Sequence, residues 1–353
     1  MKKKNKAIYL LFLMPFVYFA TACFVMWLVK TSGIYPSGSD TMYHVYRGDY
    51  VYNAIKSGNW YPLYDPTWYN GVEILRYWSP FPAYVMAFCQ YLAGGSQFGA
   101  YLFYIGGVCF LGACVWPFIG RGFNRPYMGA FIGLLWFFMP NNLCAIFIEG
   151  NLARSLSMIF LPVFIYSVYK YLYNHKLRYI PLMVFTFLLM ELCHLGYAGM
   201  VAIAVIIYGI VYMIQKGRKK AVLDVVISMI FGFMLLGIWL VASLRGGITS
   251  LDNSENMANF FQNLWITINP FERLTRGFEY FYFGFAALVV IVFGILFGYK
   301  KSRTGFVTGF IILLMTTKSA YAVLKHLPGS QYLWMLRFIS IALCMILMSF
   351  LMW

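Results

Sequence analysis

The sequence predicts an all-α, polytopic transmembrane helical protein of about ten spans. Hydrophobic residues make up 62% and charged residues 11% of the 353-residue chain, and its mean hydropathy is +0.71. A soluble domain of this length does not have that composition. Apolar runs long enough for membrane-spanning helices recur along the chain, and short basic segments separate them.

The basic residues predict the topology. Of the 27 Lys and Arg residues, 16 lie in five short polar breaks that contain no acid. The breaks are residues 1–6, 120–125, 169–178, 215–220 and 300–303. Because Lys and Arg accumulate on the cytoplasmic side of membrane proteins, we expect the N-terminus and all five breaks to be cytoplasmic and the acidic residues to face outward. The formal charge of +16 is thereby interpreted as topogenic, with anionic membrane lipids rather than nucleic acid as its partner.

The predicted spans alternate between these breaks. The first is interpreted as a retained anchor, because its apolar run continues past the signal-peptidase-like Ala20-Thr21-Ala22. The ten spans are residues 7–29, 98–119, 126–148, 152–173, 179–193, 197–214, 221–244, 278–297, 304–317 and 332–353. Residues 30–97 and 245–277 are predicted as the first and second outer loops of one membrane domain, 1–353. Because the last span runs to the final residue, we expect the chain to be the front part of a longer architecture.

Residues 80–93 are predicted to form a juxtamembrane helix within the first outer loop. They are apolar, but they are fewer than the roughly 17 residues that a span needs. If they did span, Arg121 and Arg125 would face outward and every later break would be reversed. The seven cysteines form no CxxC pair, and we interpret them as small core residues.

The first outer loop opens with a predicted helix over 40–57. On it Asp40, His44 and Arg47 are spaced i, i+4 and i+7 and so share one face. A carboxylate, an imidazole and a guanidinium aligned in this way can serve as base, orienting group and anion holder. Equally, Asp40 can favour the helix N-terminus through the helix dipole while the other two form a solvated face. The pattern leaves both interpretations open.

The next part of the loop is rich in tryptophan and proline. The aromatic faces of Trp60 and Trp68 suit sugar rings and lipid-interface anchoring alike, and anchoring is the commoner role. Asp65, Glu73 and Arg76 are further ionisable residues of this predicted outer face.

More ionisable residues lie at predicted outer ends of spans. Glu149 and Arg154 join the third and fourth spans, Glu191 and His194 lie where the fifth turns into the sixth, and Arg337 lies inside the last. Ionisable groups at membrane depth are costly and are usually functional or paired. The alternative to function is mutual pairing, for example of Glu149 with Arg154. Arg337 needs a partner, which an acid or a lipid phosphate would provide.

At these residues the chain resembles the GT-C superfamily of polytopic glycosyltransferases, and more closely the bacterial YfhO-like and 6-pyruvoyl-tetrahydropterin synthase-related membrane proteins. The resemblance is spread over nearly the whole chain and rests on the order of its pieces. These are Gly38-Ser39-Asp40 with His44 and Arg47, Tyr61-Pro62 through Ser79-Pro80-Phe81-Pro82, Gly150-Asn151, His194, and Leu336-Arg337-Phe338. The chain departs from the pattern in having no adjacent acidic pair and in having Phe338-Ile339-Ser340 where FPW is common.

The resemblance implies transfer of a sugar from a polyprenyl-phosphate donor to a cell-envelope acceptor, a glycan or a teichoic-acid-like polymer, at the outer face of a bacterial plasma membrane. The superfamily's catalytic carboxylate lies in the first outer loop, which here corresponds to Asp40 as general base, with His44 orienting it. Arg154, Arg337 and His194 would bind the donor phosphate.

The sugar and the acceptor would contact Trp60, Trp68, Arg47, Asp65 and Glu149. No cofactor is expected, although Asp40 together with Asp65 or Glu73 is an alternative site for a divalent metal. Two other function classes stay open. One is a non-catalytic scaffold of the same fold that binds lipid-linked glycans, and the other is a transporter or flippase, which the interrupted helix at 140–142 would suit.

Overall fold

The computed structural model describes residues 2–36, 38–68, 70–245, 285–327 and 334–353. Within these ranges the regular structure is helical apart from isolated bridge residues, such as the antiparallel bridge between Asp65 and Val72, so the all-α prediction is confirmed. The helices are α1 (Lys2–Ser32), α2 (Thr41–Lys56), α3 (Phe81–Leu92), α4 (Gln97–Gly122), α5 (Pro126–Trp136), α6 (Pro140–Phe147), α7 (Leu152–Asn174), α8 (Tyr179–Lys216), α9 (Lys219–Leu235), α10 (Gly237–Arg245), α11 (Phe285–Phe297), α12 (Lys300–Met315), α13 (Lys318–Leu324) and α14 (Phe338–Met352), the last preceded by a 3₁₀ turn, Met335–Arg337.

The prediction of about ten spans is wrong. In the described part of the chain five helices are long and apolar enough to cross a membrane, and up to seven are if each of two bent pairs counts as one span. The five are Phe12–Ser32, Gln97–Gly122, Leu152–Asn174, Tyr179–Lys216 and Met335–Met352. The bent pairs are Pro126–Trp136 with Pro140–Phe147, at 42°, and Lys219–Leu235 with Gly237–Arg245, at 64°. The chain is a multi-pass membrane protein.

The excess in the predicted count has identifiable sources. The apolar run of α11, Ala287–Phe297, and the 16-residue helix α12 are both shorter than the roughly 17 residues of a span. Residues 179–193 and 197–214, predicted as two spans, are joined in α8. Apart from residue 245, the predicted second outer loop, 245–277, lies outside the described residues. The start of the span predicted after it, 278–284, lies outside them as well.

Helix α8 folds back on itself. Its 38 residues would extend about 57 Å if straight, nearly twice the hydrocarbon thickness. His194 interrupts it with φ −156° and ψ 94°, an extended conformation. Its final turns return to the end of α7, where the hydroxyl of Tyr212 donates to the carbonyl of Leu172 (2.6 Å) and Arg218 contacts His175. His194 therefore lies at the bend, far from both ends of the helix.

The basic breaks 120–125, 169–178, 215–220 and 300–303 meet at one end of the bundle. Contacts between them are Lys170 to the carbonyl of Gly122, Tyr173 to the carbonyl of Lys301 (3.0 Å) and His175 to Arg218. Arg125 donates in addition to the carbonyl of Trp353 at the end of α14 (3.4 Å). Four cationic segments, distant in sequence, thus form one basic end.

Buried hydrogen bonds hold α7, α8 and α14 together between the two ends. Tyr197 of α8 pairs with Ser340 (2.8 Å), and Tyr169 of α7 pairs with Ser349 (3.0 Å). Such bonds between helices orient them in a setting where apolar contacts alone give little directional preference. They fix how α7, α8 and α14 are rotated about their own axes. The parts of these helices far from the basic end carry ionisable side chains.

We expect the basic end to be cytoplasmic because of the charge asymmetry. In a cysteine-free background, Ser57→Cys, an exposed position after α2, is expected to react with an impermeant maleimide in intact cells. Lys176→Cys, an exposed position at the basic end, is expected to react only after permeabilisation. The reverse labelling pattern would contradict the predicted orientation, and permeabilised cells serve as the control for both variants.

Candidate functional site

The first-loop helix occurs where the sequence predicts it. Helix α2 begins directly after Asp40 and ends at Lys56. Gly58 follows with φ +87°, a left-handed conformation suited to glycine at a helix end. The predicted helix over 40–57 is therefore confirmed to within a residue at each end.

Two glycines bring the start of α2 against the start of α7. A Cβ on Gly38 would lie 2.6 Å from the Cα of Gly150, which itself has φ +65°. The close approach lets the backbone N–H of Asp40 donate to the carbonyl of Glu149 (3.0 Å). The Ser39 hydroxyl donates to the same oxygen (2.9 Å). Segments about 110 positions apart in sequence are thereby joined at one carbonyl.

Glu149 connects two arginines. Its Oε1 accepts from Nη2 of Arg154 (2.5 Å), and its Oε2 lies 3.6 Å from Nε of Arg337. The Arg154 side chain is fully buried and that of Glu149 is 12% exposed. Asn151 caps α7 by accepting from the backbone N–H of Arg154 (3.0 Å), which sets where this arginine enters the bundle. The pairing of Glu149 with Arg154 that the sequence left open is present.

The bend of α8 brings His194 to Arg337. Nδ1 of His194 accepts from the backbone N–H of Tyr197 (3.1 Å), and Nε2 lies 3.3 Å from Nη1 of Arg337. The Arg337 guanidinium also lies over the ring of Trp334, 5.0 Å from its centre. The arginine thus has an acid, an imidazole and an aromatic ring around it.

These groups border a cavity of about 500 Å³, within the usual range for small-molecule sites. Four predicted site residues line it: Asp40, Glu149, His194 and Arg337. The remaining lining residues are Ser39, Trp78, Asn151, Gly196, Met200, Trp334 and Leu336. Since α7 and α14 both begin beside the cavity and run to the basic end, the cavity lies at the opposite end of the bundle.

Burial raises the pKa of Asp40 above its ordinary value of 3.8. The negative charge of Glu149 acts in the same direction. The Ser39 hydroxyl lies 3.2 Å from Oδ1 of Asp40 as well as 2.9 Å from the Glu149 carbonyl, and its hydrogen bond to Oδ1 lowers the pKa of Asp40. The positive charges of Arg337 and Arg154 also lower this pKa, but together these effects do not cancel the rise. A carboxylate with a raised pKa is a better proton acceptor at neutral pH, and Asp40 therefore has the protonation behaviour that a general base needs.

His44 and Arg47 do not form a solvated face, because both are buried. Burial, together with the nearby charge of Arg47, lowers the pKa of His44 to about 3, so its imidazole is neutral. Arg47 donates to the backbone carbonyls of Ile74 (3.3 Å), Trp78 (3.1 Å) and Ser79 (3.5 Å). Neither side chain lines the cavity. The structure assigns Arg47 to bracing the loop, and the orienting role of His44 stays a prediction.

Three further predicted residues also lie off the cavity lining. Asp65 accepts hydrogen bonds from Tyr46 and Thr67; burial raises its pKa, but these bonds outweigh that effect and hold the pKa below its ordinary value. The ring of Trp68 packs against Tyr46, and Trp60 is 70% exposed. Their predicted contacts with sugar or acceptor stay predictions that this placement does not support.

The geometry gives little support to the alternative metal site, Asp40 with Asp65 or Glu73. Asp65 is engaged as described, and Glu73 pairs with Arg76 at 2.5 Å. Among the residues that the structure describes, no group of three or more His, Cys, Asp or Glu side chains is arranged to hold a metal ion.

Seven lining residues were not predicted as site residues, and four of them have polar or aromatic side chains: Ser39, Trp78, Asn151 and Trp334. Two signals could have found them. Asn151 directly precedes an apolar helix and so is a natural helix cap. Trp334 precedes Arg337 by three positions, one turn of helix, which allows the guanidinium to reach the ring. For Trp78 and Ser39 only the general loop composition gave a hint.

The buried Glu149–Arg154 pair is expected to be necessary for folding. Glu149→Ala would leave the Arg154 charge buried and unpaired, which should lower the free energy of unfolding by about 3–5 kcal/mol. Denaturant titration in detergent micelles measures this change. The matched control is Glu73→Ala, which removes an equally short but partly exposed pair and should change stability much less. Equal effects of the two substitutions would contradict the assignment.

Comparisons with known proteins agree with the membrane architecture. The chain is 20% identical over 323 residues to a Lactococcus lactis subsp. cremoris (strain MG1363) relative described as "Uncharacterized protein", with 84% of this chain and 50% of the relative covered. The chain therefore spans about half the length of that relative. No solved structure matches. Residues 75–353 match the family described as "6-pyruvoyl-tetrahydropterin synthase related domain; membrane protein". Because this match covers most of the chain, the protein belongs to the 6-pyruvoyl-tetrahydropterin synthase-related family of membrane proteins.

Proposed function

We propose that the protein is a membrane glycosyltransferase that moves a sugar from a polyprenyl-phosphate donor to a cell-envelope acceptor at the outer face of the bacterial plasma membrane. The observation that carries the proposal is that Asp40 and Arg337 line one cavity, at the end of the bundle opposite the basic breaks. Transfer from a sugar phosphate to a hydroxyl needs both a proton acceptor and a cation for the leaving phosphate.

The reaction would be an inverting displacement. Asp40 takes the proton of the acceptor hydroxyl while the hydroxyl oxygen forms a bond to the anomeric carbon of the sugar. The bond from that carbon to the phosphate oxygen breaks, and the lipid phosphate leaves with the electron pair. The raised pKa of Asp40 favours its acceptance of the proton, and the proton is released to water after transfer.

Arg337 would bind the departing phosphate; the support for this role is that the residue lines the cavity. Arginine forms charge-assisted hydrogen bonds to phosphate oxygens that strengthen as charge develops on them. Arg154 has no surface in the cavity lining, and we assign it to holding Glu149 beside Arg337. Trp78 and Trp334 supply the aromatic surface of the cavity, which suits the apolar face of a sugar ring.

The GT-C resemblance supports the reaction class and the role of Asp40. A glycan or a teichoic-acid-like polymer would be the acceptor. The bacterial relative is in keeping with a plasma-membrane location, and the exposed apolar side chains of α1, such as Phe16 and Trp27, suit contact with lipid tails.

Asp40→Asn tests the proposed base. Purified wild type, given a panel of polyprenyl-phosphate sugars and cell-envelope extract as acceptor, should release polyprenyl phosphate. The variant should do so about 100-fold or more slowly, because general base catalysis contributes that much. Released lipid phosphate is quantified by mass spectrometry.

The control is Asp49→Asn on the same helix, whose carboxylate accepts from Gln90 away from the cavity lining; it should retain wild-type turnover. Normal turnover by Asp40→Asn would remove Asp40 from the role of base. Absence of release from every donor by folded wild-type protein would instead favour a scaffold or a transporter.

The pH profile provides an independent test. Asp40 must be ionised to act as base, so kcat/KM should fall as pH drops through its pKa, with the acid limb above the ordinary value of 3.8. Because the Ser39 hydrogen bond lowers this pKa, Ser39→Ala should move the limb to higher pH. Ser57→Ala, which removes an exposed hydroxyl bonded to Ala54, should leave the limb in place. A shift of the limb to lower pH in Ser39→Ala would contradict the assignment.

A further inference from the structure

The bend of α8 contains an inserted side chain. In an uninterrupted helix the backbone N–H of Leu195 would donate to the carbonyl of Glu191, four positions earlier. Instead the hydroxyl of Ser79 lies between them: it donates to the Glu191 carbonyl (2.8 Å) and accepts from the Leu195 N–H (3.3 Å). These two backbone groups are thus satisfied by one hydroxyl from the first loop, and such an insertion is a recognised cause of sharp helix kinks.

Contacts with neighbouring residues of the first loop hold Ser79 in place. Its own side chain is buried, and the fully buried guanidinium of Arg47 donates to the backbone carbonyls of Trp78 and Ser79. Pro80 follows directly at the start of α3. The hydroxyl is therefore presented by a rigid segment, whereas a water molecule or a surface side chain would be free to leave the bend.

The bend determines the protonation of the His194 ring. Because Nδ1 accepts from the backbone N–H of Tyr197, a neutral imidazole must carry its proton on Nε2. Nε2 lies 3.3 Å from Nη1 of Arg337, which is also only a donor. Two N–H donors that face each other at the edge of a cavity are satisfied together by an oxyanion placed between them.

We propose that Ser79 is a positioning residue: its hydroxyl replaces the helical hydrogen bond between Leu195 and Glu191 and thereby aims the Nε2–H of His194 into the cavity beside Arg337. The pair then binds one phosphate oxygen. The identity of the ligand as a lipid phosphate rests on the proposed function, whereas the geometry of the bend does not. Ser79 itself touches no reacting atom.

The test uses the full chain in detergent micelles, with farnesyl phosphate as the probe. Ser79→Ala should weaken farnesyl phosphate binding, measured by calorimetry, by about tenfold, the value of one charge-assisted hydrogen bond. Ser79→Thr keeps the hydroxyl and should bind nearly as wild type does. Equal affinity in wild type and in folded Ser79→Ala would overturn the proposal.

A second measurement does not need the ligand. ¹⁵N NMR of labelled histidine, with the His194 signal assigned by its loss in His194→Gln, should show the Nε2–H form in wild type, and this pure form should be lost in Ser79→Ala. A wild-type Nδ1–H form would overturn the proposal. If wild type shows the Nε2–H form dependent on Ser79 but does not bind farnesyl phosphate, the positioning role is supported and the proposed donor class fails.

Discussion

The site depends on Glu149, a single acid held between two arginines. Its carboxylate pairs with Arg154 at 2.5 Å and lies 3.6 Å from Arg337, while its backbone carbonyl accepts from Asp40. Burying one arginine without an acid would cost several kcal/mol, and burying two would cost more. Glu149 therefore allows two cations to lie within the bundle, and through its carbonyl it sets the first loop against them.

Two acids, Glu149 and Asp40, line the cavity. The charge balance explains how an anion could still bind there. Glu149 neutralises the fully buried Arg154, and Arg337 shares the same carboxylate only at the longer distance. Arg337 is consequently the cation with capacity left for a further partner. Burial raises the pKa of Asp40 beside it, but the positive charges of Arg337 and Arg154 limit this rise. The Asp40 carboxyl group therefore remains ionisable. The carboxyl group of Asp40 and the guanidinium of Arg337 therefore coexist in one cavity, because each moderates the other's charge.

Sequence reasoning was reliable for features that each segment determines alone. The polar breaks predicted the basic end, and the helix predicted over 40–57 matches α2 to within a residue at each end. It failed where tertiary contacts decide. The two apolar runs around His194 are joined in one bent helix, and the contact of that bend with Ser79, 115 positions earlier, has no signal in the sequence. Trp60 and Trp68 match a sugar-binding composition as well as Trp78 does, and only the packing of the loop selects Trp78 for the cavity.

The family match begins at residue 75, and this boundary divides the cavity. Glu149, His194 and Arg337, together with Ser79 in the bend, lie inside the matched region, whereas Asp40 lies before it. The matched part therefore carries the groups suited to holding a phosphate, and the preceding segment carries the carboxylate suited to chemistry. The family match itself says nothing about catalysis. Asp40 reaches the cavity because Gly38 approaches Gly150 closely, which places the backbone N–H of Asp40 on the Glu149 carbonyl.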